Sequence, residues 1–367
     1  MKPKVSIVRC KTYESQELEI SVRKAFQLLG GLSSFVKKGE RVLLKPNILS
    51  GRLPEHGVNT HIEVVRVVAN LVKECGATSL VGDNPGGSMG VKDVYESSGF
   101  LSLAKEEGVE LKEVKNVKVI RGIPIASYFF ECDKIISLPK MKTHSLTTLT
   151  GAVKNMYGAV AGLNKSHLHK RFPNPEQFAN VLIDVFETVR PQLVLMDGII
   201  AMDGDGPAAG TLKDVGLLIA SQDSVAVDSV FSYLVGINPL DIPTTKGAYR
   251  RGLGEARIEN IEVMGKSLEE SFVRGFKVPG SRLIMSLPGP FVKILAALVK
   301  FGPWIDTKLC KKCKVCAETC PASAVTINEK ESAINYRKCI RCMCCHEVCP
   351  YKAVVLKRNL FAKALGL

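Results

Sequence analysis

Two cysteine runs near the C-terminus constrain this chain more than any other feature. Cys310-Lys-Lys-Cys313-Lys-Val-Cys316-Ala-Glu-Thr-Cys320-Pro321 and Cys339-Ile-Arg-Cys342-Met-Cys-Cys345-His-Glu-Val-Cys349-Pro350 both read C-x2-C-x2-C-x3-C-P. In this spacing three close thiolates hold three iron corners of one 4Fe-4S cube, and the fourth cysteine reaches the neighbouring cube. The expected ligand sets are Cys310, Cys313, Cys316 and Cys349 for one cluster, and Cys339, Cys342, Cys345 and Cys320 for the other. The cofactors expected are therefore two 4Fe-4S clusters.

Between the runs, Val325–Ile327 and Ala333–Asn335 read as short strands, so residues 306–357 resemble a complete two-cluster bacterial ferredoxin of the α+β class. Zinc ribbons use paired C-x2-C units and not four-cysteine runs ending in proline, so the pattern favours iron over zinc. Cys344 is one thiol beyond the pattern and reads as a non-ligand. Two adjacent clusters suit a conduit for electrons, against the plainer reading that they only hold the module together.

Nine of the twelve cysteines lie in this segment, which points to metal ligation in a reducing, cytoplasmic setting and not to a disulfide framework. Cys10, Cys75 and Cys132 stand singly elsewhere and read as packed side chains. The N-terminus lacks a secretory apolar run and reads as a strand. No stretch reaches the roughly 18 apolar residues of a membrane span; Phe291–Val299 is interrupted by Lys293. The formal charge of +14 would fall to roughly +10 with two clusters of about −2 each. It comes without a basic stripe or nucleic-acid module, so the expected partner is a redox protein or an anionic small molecule, not nucleic acid.

Residues 1–285 alternate β-branched runs with helical patterns, as in an α/β domain with a largely parallel sheet. Strands are predicted at Val5–Val8, Val42–Leu44, Ser79–Val81, Lys134–Leu138, Leu193–Met196 and Val215–Ile219. In Ile62–Glu74, Val64, Val65, Val68, Leu71 and Val72 fall at helical spacing, with Gly76 as a stop. A linker helix is expected over 286–305, packing the module against the α/β domain, with lying on a membrane surface as the alternative. A short tail, 358–367, follows the module.

In open parallel sheets the ligand crevice lies beyond the strand C-termini. Three polar clusters fall there: Lys45-Pro46-Asn47, Gly82-Asp83-Asn84-Pro85-Gly86-Gly87, and Pro139-Lys140-Met141-Lys142-Thr143-His144 continuing to Lys154-Asn155. The glycines could admit an anion to backbone N–H groups or simply make turns. Lysine and histidine suit phosphate or carboxylate binding, and a histidine can also move a proton. Asn164–Arg171 adds His167 and His169, which could be a metal pair but lack a carboxylate to complete the set. No GxGxxG follows a predicted strand and no Walker sequence appears, which removes the main support for nicotinamide or nucleoside triphosphate binding. Asp203-Gly-Asp205-Gly-Pro207 lacks the terminal glutamate of a calcium loop. Asp223 can cap the helix that follows it, with Asp228 one turn on.

Taken together, Lys45-Pro46-Asn47, Gly82–Pro85, Pro139–His144 with Lys154-Asn155, Asp203–Pro207 and Asp223–Asp228 resemble the family catalogued as domain of unknown function 362, over about residues 1–270. Many of its members carry a C-terminal ferredoxin module. The resemblance implies a fold and a site but no agreed reaction. The expected function is electron transfer between the clusters and an anionic ligand or partner at the α/β domain. Lys140, Lys142 and His144 are the candidate catalytic residues, His144 as proton donor, and Lys45, Asn47, Asp83, Lys154 and Asn155 the candidate substrate contacts. A redox-sensing or maturation protein, and a non-redox enzyme with structural clusters, are the two other classes the sequence allows.

Overall fold

The computed structural model describes residues 2–278 and 301–359. Its main sheet is built from β1 (Lys4–Arg9), β2 (Arg41–Pro46), β3 (Thr78–Gly82) and β4 (Glu110–Lys112); β5 (Val117–Ile120) and β6 (Ile123–Ala126) form a separate hairpin. The main sheet continues with β7 (Lys134–Leu138), β8 (Lys140–His144), β9 (Thr148–Thr150), β10 (Leu193–Asp203), β11 (Thr211–Ser221) and β12 (Glu262–Gly265). The strand order is β12-β1-β11-β10-β7-β2-β3-β4, with β8 and β9 branching from β10.

The stretch β10-β7-β2-β3-β4 is parallel throughout. Antiparallel pairing enters where β11 folds back on β10 and against β1. The fold is thus α/β with a mostly parallel, mixed sheet. Helices cover both faces, as buried parallel strands require. Ser15–Gln27 and Ile62–Glu74 pack on one face with Val42, Leu44 and Val81, while Pro175–Thr188 packs on the other with Leu43, Leu80 and Ile135. The alternation of Leu43 with Leu44 between the two cores is the period of two that a strand imposes.

The predicted strands at Leu193–Met196 and Val215–Ile219 are the cores of two eleven-residue strands, which continue through polar residues because each satisfies the other's backbone. Lys140–His144, which the sequence places beyond the end of a predicted strand, is itself a buried strand paired with β9 and with β10.

The expected linker helix over 286–305 lies outside the described residues up to 300. Its last five residues are a strand and not a helix: Phe301–Ile305 pairs antiparallel with Val354–Arg358, so these five residues belong to the cysteine-rich module. Arg358, placed in the expected tail, ends that pairing, and 360–367 lie outside the described residues. The module holds a second hairpin, Val325–Ile327 with Ser332–Ile334, and two short helices, Val315–Glu318 and Cys344–Val348.

The module docks on the α/β domain through polar contacts that run from buried to exposed. Arg52 donates to the carbonyls of Ala208 and Cys349. Arg358 pairs with the carboxylate of Asp205, and His346 bridges the carbonyls of Val354, at 2.7 Å, and Asp205, at 3.2 Å. Ser88 donates to Glu318 at 2.7 Å. The acidic loop Asp203–Pro207 therefore serves as a latch for the module. Among the described residues no helix is long and apolar enough to cross a membrane.

Candidate functional site

Adjacent parallel strands place their polar ends side by side. Lys45, near the end of β2, and Asp83, just past β3, form an ion pair at 2.8 Å in which both side chains are buried. Asp83 also accepts from the N–H groups of Ile48 (2.6 Å) and Asn84 (2.9 Å). Lys45 donates to the carbonyl of Pro46 and to Asn155 Oδ1, and Asn155 Nδ2 returns bonds to the Lys45 carbonyl and Ser137. Burial lowers the Lys45 ammonium and Asp83 resists it. Gly158 lies against the pair: a Cβ there would overlap Asp83 Oδ1 and Lys45 Nζ.

Lys154 and Asn155 sit on the short helix Ala152–Asn155. Its first N–H groups are held by Asp228, at 2.5 and 3.0 Å, so the position of Lys154 depends on a carboxylate from another helix. Burial raises Asp228 to about 7 while those two N–H bonds oppose it. Asp223 caps Ser224–Leu234 through Val225 and Ala226.

Lys140, Lys142 and His144 alternate along β8 and so share one face. Lys140 is sealed in a pair with Asp197 at 2.7 Å and donates to Tyr13. Lys142 donates to the carbonyl of Val58. Burial first, then Lys154, pushes Lys142 well down. His144 Nδ1 accepts from the N–H groups of Leu146 and Thr147, so the neutral ring carries its proton on Nε2. That Nε2 stands 3.1 Å from Glu347 Oε1, too oblique for a hydrogen bond, and both atoms are otherwise unpartnered among the described residues. Burial and Lys154 take His144 down to about 4. Burial would raise Glu347, but His144 and Lys154 hold it below the carboxylate range.

These groups meet at a cleft between the two domains, with about 660 Å³ of empty space including its open mouth. Lys45, Asn47, Asp83, Lys154 and Asn155 line it, as do Gly86, Gly87, Tyr157, Lys165 and His169. Its remaining wall is the module, through Thr319, Cys344, Glu347 and Val348. His144 stands behind Glu347; Lys140 and Lys142 do not line the cleft. Lys165 donates to the Asn84 carbonyl, and burial lowers it to about 8. Asn47 Oδ1 and His169 Nδ1 are buried polar atoms of this cleft with no hydrogen-bond partner among the described residues, and Glu347 Oε1 has the oblique contact with His144 Nε2 alone there. Lys154 has no ion-pair partner there either. Such a concentration of unsatisfied groups marks a place where a ligand would complete the bonding. A larger depression, lined by Glu176, Asn180, Asp241, Lys246 and Arg250, holds none of the expected site residues.

Glu347, Cys344, Tyr157, Lys165 and His169 were not among the expected site residues. Lys165 and His169 stand in a visibly basic stretch, which was the available signal. Glu347 and Cys344 lie inside a cysteine run whose spacing explains itself without them.

The cysteines suit 4Fe-4S binding. Cys320, Cys339, Cys342 and Cys345 line one small cavity of the module. Cys310, Cys313 and Cys349 lie near Cys316, whose thiol is raised first by burial and then by these neighbours. Backbone N–H groups of Ala324, Arg341 and Ala353 point at the sulfurs of Cys320, Cys339 and Cys349 at 3.3–3.4 Å, as donors that stabilise thiolate ligands. Among the described residues no three His, Cys, Asp or Glu side chains close on a single ion point. Thiolates of a cube bind separate irons and need not converge on one point.

Residues 42–233 match the family described as Domain of unknown function (DUF362), and residues 302–350 match a 4Fe-4S dicluster domain. A thylakoid-associated protein of Synechocystis sp. is 35% identical over 263 residues, covering 70% of this chain and 81% of the relative. Among solved structures, the lactate racemase apoprotein of Thermoanaerobacterium thermosaccharolyticum is similar at TM-score 0.40 and 12% identity, over 65% of this chain and 58% of the other. A Thermotoga maritima protein is similar at TM-score 0.34 and 13% identity, over 59% and 57%. The chain thus spans somewhat over half the length of these two structures.

Proposed function

The chain belongs to the family of domain of unknown function 362, and from that premise we propose that it is an iron-sulfur electron-transfer protein acting on an anionic ligand in the interdomain cleft. In this reading it carries two 4Fe-4S clusters, held by Cys310, Cys313, Cys316 and Cys349 and by Cys339, Cys342, Cys345 and Cys320. Bound clusters supply one-electron chemistry. The chain's own residues do the rest: Lys154 and Lys165 attract the anion, Lys45 and Asp83 fix the cleft floor, and His144 stands behind the Glu347 carboxylate that completes the wall.

One observation carries the reading. The helix Cys344–Val348 contains Cys345 and is capped by Cys349, both expected ligands, and is at the same time a wall of the lysine-lined cleft. A ligand there lies beside the cysteine run and not across a domain from it. The candidate site therefore reduces to Lys45, Asn47, Asp83, Lys154 and Asn155, while neutral His144 stands behind Glu347 and Lys140 and Lys142 support the strand that carries it.

The contact between His144 and Glu347 also favours a second reading, a non-redox acid-base enzyme in which the clusters only build the wall. Anaerobic reconstitution, iron and sulfide counting and a spectroscopic redox titration separate the two. About eight irons and two reversible low-potential transitions, shifted by small carboxylates or phosphates in the intact protein and not in Lys154→Ala, are expected. Zinc in place of iron, or clusters that fall apart on reduction, would sink the electron-transfer reading.

A further inference from the structure

The cysteine module is an internal duplication with an offset of 29 residues, and its two copies have opposite surroundings. Cys310, Cys313, Cys316 and Cys320 correspond to Cys339, Cys342, Cys345 and Cys349. The backbone repeats with them: Lys312 and Arg341 both have φ +54, Lys314 and Met343 have +64 and +63, and Ser323 and Lys352 have +48 and +54. Left-handed non-glycine residues are uncommon, so three matched pairs identify equivalent turns in the two halves.

What differs is the surface. In the second copy Met343, Cys344, Glu347 and Val348 are buried, and the last three line the cleft. In the first copy residues 307–314 are exposed apart from half-buried Cys310, and of the eight ligand cysteines Cys313 is the exposed one. Around it stand Lys308, Lys311, Lys312 and Lys314, all exposed, with no acidic residue from 307 to 317. Lys312 is tied to the Glu329 carbonyl. None of the other three has an ion-pair partner among the described residues. The adjoining turn contributes Glu329 and Glu331, partly offset by Lys330.

We propose that this lysine-ringed face around Cys313 is the docking site of an acidic one-electron carrier protein. The proposal rests on the electron-transfer reading and gives it a direction in space: carrier at the first copy, ligand at the second. An exposed ligand sulfur brings the redox centre to the surface, where a partner can approach closely. The lysines, within a chain of formal charge +14, attract and orient a negative partner. An anionic membrane would also attract lysines, but it has no use for a ligand cysteine at the centre of the patch.

The test uses full-length reconstituted protein and a Lys308→Glu/Lys311→Glu/Lys314→Glu variant, with iron content checked for both. Each is reduced in a stopped-flow instrument by a reduced acidic plant-type ferredoxin and, separately, by reduced methyl viologen, a small cation. Reduction by the carrier is expected to fall at least ~10-fold in the variant and to weaken steeply with salt in the wild type, while the viologen rate does not fall. A carrier rate that ignores both salt and charge reversal overturns the proposal, as does a reversal that abolishes only sedimentation with anionic vesicles. If viologen cannot reduce the wild type, the electron-transfer reading itself fails and the docking site with it. The Lys→Gln triple variant should fall between the two proteins, which guards against an artefact of the added acids.

Discussion

Lys45 with Asp83 and Lys140 with Asp197 are two buried lysine–aspartate pairs, at 2.8 and 2.7 Å, both at the C-terminal side of the parallel strands. Burial lowers both ammonium groups and both aspartates oppose it. Their surroundings differ. Asp197 also accepts from Tyr13 and from the N–H of His61, and the rings of Tyr13 and His61 stack over the pair at 3.7 Å. The pair of Lys45 opens on a cleft where, among the described residues, Asn47, His169 and Glu347 each leave a buried polar atom without a hydrogen bond. A buried charge pair is therefore not by itself a site. The unsatisfied groups beside it distinguish one that can meet a ligand from one that holds strands together.

That contrast can be broken most forcefully at Asp197. Asp197→Ala leaves Lys140 buried without its counter-charge and should cost about 3–5 kcal/mol in urea unfolding. Replacing both members, Lys140→Met with Asp197→Leu, should recover most of the loss, as expected for a structural pair. Next in size is Gly158→Ala, whose methyl group overlaps Asp83 and Lys45. It should cost about 1–3 kcal/mol and also weaken binding of inorganic phosphate or dicarboxylates, which would couple this pair to the cleft. Lys154→Ala should weaken the same anions about tenfold, read by calorimetry. Unchanged anion affinity in that variant would remove the distinction between the two pairs.

A separate expected effect is a pH dependence. Burial brings Lys165 from its ordinary 10.5 to about 8. Between those values the unfolded chain still holds the proton that the folded chain has released, so the apo protein should gain stability as pH rises from 8 towards 10.5. Anion binding should move the opposite way, weakening above pH 8 as the ammonium is lost. A Lys165→Met variant should flatten both trends in a melting series.

The cysteine spacing made the module readable because metal geometry fixes it locally, within twelve residues. The parallel-sheet core was readable for a similar reason: Val42–Leu44 and Lys134–Leu138 are short apolar runs whose burial is written into their composition. Lys140, Lys142 and His144 misled in form, because a strand filled with cations on one face has no apolar pattern. Asp197, Tyr13 and the carbonyl of Val58, far away in sequence, make the burial of its lysines tolerable. Glu347 was unreadable for the opposite reason. Its copy in the first half, Glu318, is exposed and bonded to Ser88, so nothing in the repeat announces that one of the two would face a cleft.

The helix Cys344–Val348 owes its shape to the cysteines on either side of it, since five residues are too few to hold a helix unaided. The cleft is consequently finished only when the metal centre beside that helix is finished. Maturation and anion recognition are then coupled: iron-free protein should bind inorganic phosphate or dicarboxylates more weakly than reconstituted protein, a difference that calorimetry reads.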